Sequence, residues 1–534
     1  MLRNRCSALW LFTGFLAVFG GCGQHSSSPN SGKVRAELHR GLGAEPPSID
    51  PAAASDINSD QVMRDLYEGL TTEAPTGAAI PGVASSWDVD PTGKIYTFHI
   101  RPNASWSNGK PVRAGDFVTA WQRVVDPKTG SPVADTLRLV AGAASIIAGK
   151  TSPDSLGATA PTENMLVVRL EEPAPYFPEL LTHTAAMPIY SEHAATSRNP
   201  LTSVSNGPYV LESWLNGTSI KLKKNPFYWD RDRVHIPSVE YQITSDDTNQ
   251  LARYRAGQLD LTDSVPPNAL PDLRAAHSTE LIVVPYLATA YYGFNLTAGP
   301  TAHNIALRQA LTMAIDRRRL VTSLGFGQLP AYGFLPPGIR NYSPQQFPWM
   351  NLSDEARIAE ARRLFAMAGY STNKPLRLRL LYNSNVGVKR TAIVVAAMWK
   401  ETLGIETELI DEEYRVFLET RHDRSRWDIL RLGWNADFND ASNFLDIFRT
   451  ISNNNDEGYS NADVDRLLDQ AELSGDPSIR RTKFETVERD VLTDYAIIPL
   501  YYFVSKRLVQ PYVIGLHVTP LNRAPTKELT IIDR

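Results

Sequence analysis

The chain has 534 residues, of which 43% are hydrophobic and 21% charged, with 33 Gly, 37 Pro and a formal net charge of −4. A chain this long outgrows a single hydrophobic core and predicts about two to four domains. Its near-neutral balance, with no basic stripe and no interleaved aromatic and basic residues, excludes a nucleic-acid footprint. The two cysteines, Cys6 and Cys22, both fall near the N-terminus. The remainder therefore holds no disulfide, no cysteine metal site and no cysteine nucleophile, and relies on a large apolar core.

The N-terminus reads as an export signal. Arg3 and Arg5 precede an apolar run over residues 8–19, long enough for a secretory segment and short for a bilayer span. The run ends in Phe19-Gly20-Gly21-Cys22, which resembles the lipobox of bacterial lipoproteins, with Phe where Leu is preferred. Lipidation at Cys22 would then anchor the chain to a membrane, residues 1–22 being the signal; cleavage without lipid is the alternative. Residues 23–33, rich in Ser, Pro and Gly, read as a flexible tether.

After the tether, strand-like and helix-like segments alternate, which favours an α/β architecture. A helix is expected over 61–70 from apolar residues at Val62, Leu66 and Leu70, started by Asn58, Ser59 or Asp60. The alternating IYTFHIR, the turn WSNGKPV and a helix opening near Asp116 follow, then strands over 165–170 and 209–215 flanking a Pro-rich helical region at 176–181. A second α/β set opens with a strand-rich run at 281–296. It continues with helices over 305–324, 354–368 (capped by Ser353, stopped by Gly369), 391–403, 463–473 and 479–492. Strands are expected at 376–382, in IETELIDEEY, in WDILRLGW and at 496–504. No internal repeat is evident.

Enzymatic signatures fail on context. Residues 144–151, ASIIAGKT, match a permissive phosphate-loop expression, but the preceding AGAAS is helix-like and Ser152-Pro153-Asp154 ends the segment, so no strand feeds it and no helix opens from it. There is no G-x-S-x-G elbow and no H-E-x-x-H, and the ten histidines are not paired at metal-ligand spacing. Neither a metal nor a cofactor is expected. The aromatics Trp106, Trp434, Tyr291, Tyr292, Tyr414, Tyr501, Tyr502 and Phe503 lie near strand ends or turns, where they line a pocket or pack a core.

One stretch stands out for binding. Arg431 to Asn439, RLGWNADFN, begins as a buried strand and ends as a polar loop, with Arg431 and Asp437 six positions apart. Fully extended, their Cα atoms would lie roughly 20 Å apart, against about 10 Å between the termini of a tripeptide. The chain must bend after Trp434 if both charges hold one zwitterion. The competing reading gives Arg431 a structural ion pair and makes Asp437 the start of an Asx turn before Asn439.

Taken together, SIDPAAASDINSDQVMRDLYEGL, YTFHIRPNASWSNGKPVRAGDFVTAWQRVVDP, NGPYVLESW, YRAGQLDLT, RQALTMAIDR, LGWNADFND and AIIPLYYFV resemble the family 5 extracytoplasmic solute-binding proteins of bacterial ABC importers, most closely their oligopeptide binders. The resemblance runs from about residue 34 to the C-terminus. It implies a periplasmic-binding-protein-like α/β fold of the type II, cluster C kind, with two lobes, a hinge and a discontinuous three-domain layout. The domains are 34–67 with 186–287 and 504–534 as the core of the first lobe, 68–185 as its accessory domain, and 288–503 as the second lobe. It implies a non-enzymatic monomer that holds short peptides as an added strand and passes them to the transmembrane subunits of a permease.

By motif position, Asp437 meets the α-ammonium and Arg431 the C-terminal carboxylate. Gly433 and Asn435, beside Trp434, supply main-chain partners on one side, and Ser55 and Ile57 supply them on the other. Tyr414, Arg421, His422 and Phe503 fall near side-chain pockets or the closed cleft. WSNGKP, by contrast, is expected to be a structural turn. The family's cysteine pair, which corresponds to Ala288 and Asn435, is absent here, and the positions of its further basic clamps, near Leu324 and Val388, are apolar. This favours short peptides, tripeptides or murein fragments among them.

Overall fold

The computed structural model describes residues 37–191, 204–371 and 374–532. The expected signal, Cys22 and the tether lie outside the described residues.

The first strand, Glu37–Leu42, pairs in parallel with Ser238–Ile243, and the sheet is completed by Ser219–Lys224 and Tyr209–Leu215. Alternation puts one apolar row across all four strands: Leu38, Val239, Leu222 and Leu211 stand in register. A second, antiparallel sheet runs Ala84–Val89, Ile95–Ile100, Met165–Arg169, Ala158–Thr162. Tyr96, Phe98, Leu166 and Val168 point inward with Phe117, Trp121 and Val124 of the helix Ala114–Val125. That helix starts where the sequence suggests, because Asp116 accepts from Arg113 N at 2.9 Å. The same carboxylate takes the indole N–H of the buried Trp106 at 3.0 Å, so WSNGKP is a structural turn as expected, its tip Asn108 to Pro111 exposed. One continuous apolar cluster spans both sheets.

The second region is a six-stranded mixed sheet in the order Leu329–Pro330, Ile497–Leu508, Leu281–Phe294, Ile429–Asn435, Arg377–Asn383, Glu406–Glu412. Both faces are covered, so the inner stretches of Leu281–Phe294 and Ile497–Leu508 read as near-continuous apolar runs. Tyr292, Leu378 and Leu380 pack under Leu307, Leu320 and Trp399 on one face. Tyr291, Leu381 and Leu430 pack under Val464 and Val487 on the other.

Two long strands join the regions. Leu281–Phe294 and Ile497–Leu508 pair from Leu281↔Leu508, beside the first region's small core of Leu251, Leu259 and Leu273, to Gly293↔Ile497 in the six-stranded sheet. Between Pro285↔Val504 and Thr289↔Tyr502 the register slips, a bulge that interrupts the ladder midway.

Several element boundaries differ from expectation. The helix foreseen over 61–70 is Ile57–Leu66: Asp56 accepts from Asn58 N and Ser59 N and starts it earlier, and Tyr67 leaves it in extended geometry. The single helix foreseen over 305–324 is two, Ile305–Met313 and Arg317–Leu324, because the Asp316 side chain caps the second. The helix foreseen over 391–403 begins at Val386, capped by Asn385. ASIIAGKT is a short helix, Ala143–Ile147, and a turn, with Pro153–Ser155 a single 3₁₀ turn after it, so no strand feeds it and no helix opens from it.

Candidate ligand-binding cleft

The strand Ile429–Asn435 lies between Leu281–Phe294 and Arg377–Asn383, but its two edges are used unequally. Along the first it pairs throughout, from Phe294↔Ile429 to Ala288↔Asn435. Along the second it pairs only at Leu380↔Ile429 and Leu381↔Leu430. Beyond Leu430 that edge is open among the described residues.

The ladder also fixes which groups face the opening. Ala436 N donates to Leu287 O at 2.9 Å, and Asn295 N donates to Asp428 O at 3.0 Å. The even-numbered residues therefore spend their main-chain groups on the Leu281–Phe294 strand. By alternation, the N–H and C=O of Gly433 and Asn435 face the open edge. Both residues are exposed. The strand stays extended through Asn435 and bends only from Asp437, one turn of the pleat later than the bend expected after Trp434.

The two charges of the motif are not consumed internally. Arg431 is half-buried and its guanidinium donates to Asn383 Oδ1 at 3.3 Å; no ion pair includes it among the described residues. Its charge reaches Tyr501 and Tyr292, its cross-strand neighbour, whose buried hydroxyl has no partner among the described residues. Asp437 is exposed to solvent at the strand's end, yet enough protein surrounds it that desolvation raises its carboxyl above the usual range, partly offset by the Asn443 amide and the charge of Arg523. No Asx turn forms at Asp437. Asn439 instead links three segments, accepting from Arg340 N at 3.0 Å and donating towards Thr76 O and Gly338 O.

The other expected residues divide. Ser55 and Ile57 are exposed at the start of the Ile57–Leu66 helix, Ile57 at 62%, and no hydrogen bond joins them to the Ile429–Asn435 strand among the described residues. Tyr414 is exposed, while Trp434 and Phe503 are half-buried, Phe503 lying between the rings of Tyr286 and Tyr501. Tyr291, Tyr292, Tyr501, Tyr502 and Trp106 belong to the core. Arg421 and His422 are both drawn to the buried Asp456, at 3.5 and 3.2 Å. Sequence reasoning missed Asp456, its neighbour Glu457 and Asn443; the partners of Asp456 lie more distant in the chain, at Arg421 and His422, and no local pattern marks any of the three. No cluster of three or more His, Cys, Asp or Glu suited to a metal occurs among the described residues.

Two lobes, two crossing strands with a bulge between them, and a strand edge left open beside an uncommitted carboxylate define a type II, cluster C solute-binding protein, a carrier rather than an enzyme. Residues 78–456 match the family described as bacterial extracellular solute-binding proteins, family 5, and the chain belongs to that family. It is 37% identical over 507 residues to the periplasmic oligopeptide-binding protein OppA of Salmonella typhimurium, covering 93% of this chain and 92% of that protein. Among solved structures it resembles the periplasmic murein tripeptide-binding protein MppA in its unliganded open form, at 34% identity and a TM-score of 0.85, over 93% of this chain and 98% of the other. Haemophilus influenzae OppA in complex with RPPGFSPFR gives a TM-score of 0.75 at 34% identity, over 93% and 99% of the two chains. The higher likeness to an open form accords with the exposure of Gly433, Asn435, Asp437, Ser55 and Ile57.

Proposed function

We propose that this chain is the substrate-binding component of a peptide ABC importer, which captures short oligopeptides between its lobes and delivers them to a membrane permease. The observation that carries this reading is the open edge of Ile429–Asn435, whose free main-chain groups at Gly433 and Asn435 lead directly to the uncommitted Asp437. An extended peptide adds to that edge as a strand, its α-ammonium at Asp437 and its chain running antiparallel towards Arg431. Ser55 and Ile57 approach from the other lobe on closure. Tyr414, Trp434 and Phe503 border the space left for side chains, with Arg421 and His422 held at its margin by Asp456.

The bulge between Pro285↔Val504 and Thr289↔Tyr502 supports a hinge there, and with it the division of the chain at 287/288 and 503/504. The chain is exported, anchored through a lipid at Cys22, and works as a monomer. Leu324 and Val388 are apolar, and beside them Arg390 donates to Ser323 O and Lys389 pairs with Asp411, so Arg431 sets the reach and favours tripeptides. The likeness to a murein tripeptide binder makes such a fragment the second candidate.

Calorimetry with trialanine and its N-acetylated form tests the reading. Asp437→Asn is expected to cost the free peptide at least about 2 kcal/mol, the scale for truncating one member of a buried charge pair. The wild type should bind the acetylated peptide poorly; equal affinity for the two would refute the role of Asp437.

A further inference from the structure

The loop that carries Asp437 is bound to both lobes. Before it, Ala436 N donates to Leu287 O at 2.9 Å and Leu287 N donates to Pro520 O at 2.7 Å, so the loop starts at the bulge that interrupts the two long strands. After it, Phe438 packs against the apolar cluster of the first lobe, its ring 4.9 Å from that of Tyr176 and within 3° of parallel. The buried Asn439 donates towards Thr76 O of the first lobe at 3.4 Å and accepts from Arg340 N at 3.0 Å. Arg340 in turn reaches back to Glu179 at 2.6 Å. Arg480, paired with Asp440 at 2.7 Å, lies over the Tyr176 ring at 5.6 Å. Tyr176 and Glu179, both buried, belong to one short helical turn, Phe177–Leu180 and its cap, so a single element of the first lobe meets the loop by a ring and by a charge.

Three features suit this contact to persist while the lobes close. The Glu179 side chain is 5% exposed and Arg340 is its ion-pair partner among the described residues, so parting them would leave a buried carboxylate uncompensated. Parallel rings turn over one another without losing contact. The loop is also hydrogen-bonded to the bulge itself, and in a hinge rotation the groups nearest the joint move least. We propose that Tyr176 and Glu179 are positioning residues for Asp437: through Phe438 and Arg340 they fix the ammonium site to the first lobe in the open and the closed protein alike. This deepens the peptide-binding reading and rests on it. The ammonium site is then complete before closure, so a peptide is captured by its N-terminus first and the lobes close over the remainder, towards Arg431.

The experiment titrates trialanine and N-acetyl-trialanine into the wild type, Tyr176→Ala, Tyr176→Phe, Glu179→Gln and Asp437→Asn, with thermal melts to confirm folding. Loss of the ring stack predicts that Tyr176→Ala weakens trialanine about fivefold, while Tyr176→Phe, which keeps the ring, stays within about twofold of the wild type. N-acetyl-trialanine, which makes no ammonium contact, should change by less than about twofold in the Tyr176 and Glu179 variants. Glu179→Gln should act in the same direction as Tyr176→Ala and carries the test if that variant does not fold. Equal weakening of both peptides, or unchanged trialanine binding in both variants, would overturn the positioning role while Asp437→Asn still lost affinity. If Asp437→Asn binds trialanine as the wild type does, the ammonium assignment fails first and the positioning role fails with it. Persistence is tested by joining Glu179→Cys to Arg340→Cys with a short bismaleimide, Cys6 and Cys22 being replaced by serine. The joined protein should still bind trialanine and become more compact with it in small-angle scattering. Loss of binding or of compaction, or failure of the reagent to bridge the two sites, would overturn the proposal.

Discussion

Single side chains decide whether the cleft is committed or available. Arg431 and Asp437 were legible as a candidate pair because their types and spacing suit a zwitterion, and the structure spends neither on an ion pair among the described residues. Arg421 and His422 were equally visible in the sequence, yet Asp456, supplied by a distant loop, engages both. That pairing is a matter of tertiary placement and leaves no local trace.

The neighbouring Glu457 is fully buried against Gly293, where a Cβ would come within 2.7 Å of its carboxyl, and both of its oxygens lack partners among the described residues. Desolvation, aided by the charge of Asp456, pushes its pKa up to about 8 from an ordinary 4.5. Because the folded value is the higher one, the folded state holds a proton that the unfolded chain releases. The contribution is fully present below about pH 4.5 and is lost as the pH rises through about 8, at up to about 1.4 kcal/mol per pH unit within that window. Glu457→Gln should therefore raise the melting temperature far more at pH 9 than at pH 5; parallel melting curves for variant and wild type would contradict this.

At the scale of elements, most strands and helices were readable from their periodicity, and the misses have identifiable causes. Apolar spacing continues through 305–324, so nothing in it announces that the Asp316 side chain restarts the helix. Asn385 and Asp56 cap helices earlier than the apolar pattern begins. The open edge of Ile429–Asn435 was foreseen only through the resemblance, which placed main-chain partners at Gly433 and Asn435; periodicity could not show it, since it exists because Arg377–Asn383 pairs with two of its residues and then diverges.

The alternation of that strand gives a direct test by proline. Gly433→Pro removes an N–H that faces the open edge and is not used in the ladder, whereas Trp434→Pro removes one that the Leu281–Phe294 strand receives. Gly433→Pro should abolish most peptide affinity with a small loss of stability. Trp434→Pro should cost about 3 kcal/mol or more of stability. The reverse ranking, read from denaturant unfolding and calorimetry, would mean that the main-chain groups of Gly433 do not face the ligand.

At the scale of the molecule, the two lobes meet close to the proposed binding residue. Phe438, next to Asp437, stacks on Tyr176 at 4.9 Å with the rings within 3° of parallel, and Arg340 reaches the buried Glu179 at 2.6 Å. The loop after the binding strand is thus held by the first lobe, and the bulge in the long strands is where the proposed joint lies. Lobe closure over this loop would bring Ser55 and Ile57 to the ligand's second edge and exclude water from Asp437, where a facing ammonium gains most. Two lobes and a hinge were legible through resemblance alone. Composition and periodicity predicted several α/β units but not how they share strands.

Under the proposed reading, main-chain recognition with a single ammonium receptor would make the chain a carrier of peptides with free amino termini, whatever their side chains. The most direct test is native mass spectrometry of the protein purified from a bacterial host without refolding. The account predicts co-purified masses that fragment as short peptides with unblocked N-termini, centred on three residues. Ligand masses that are not peptides, or peptides uniformly blocked at the N-terminus, would contradict it.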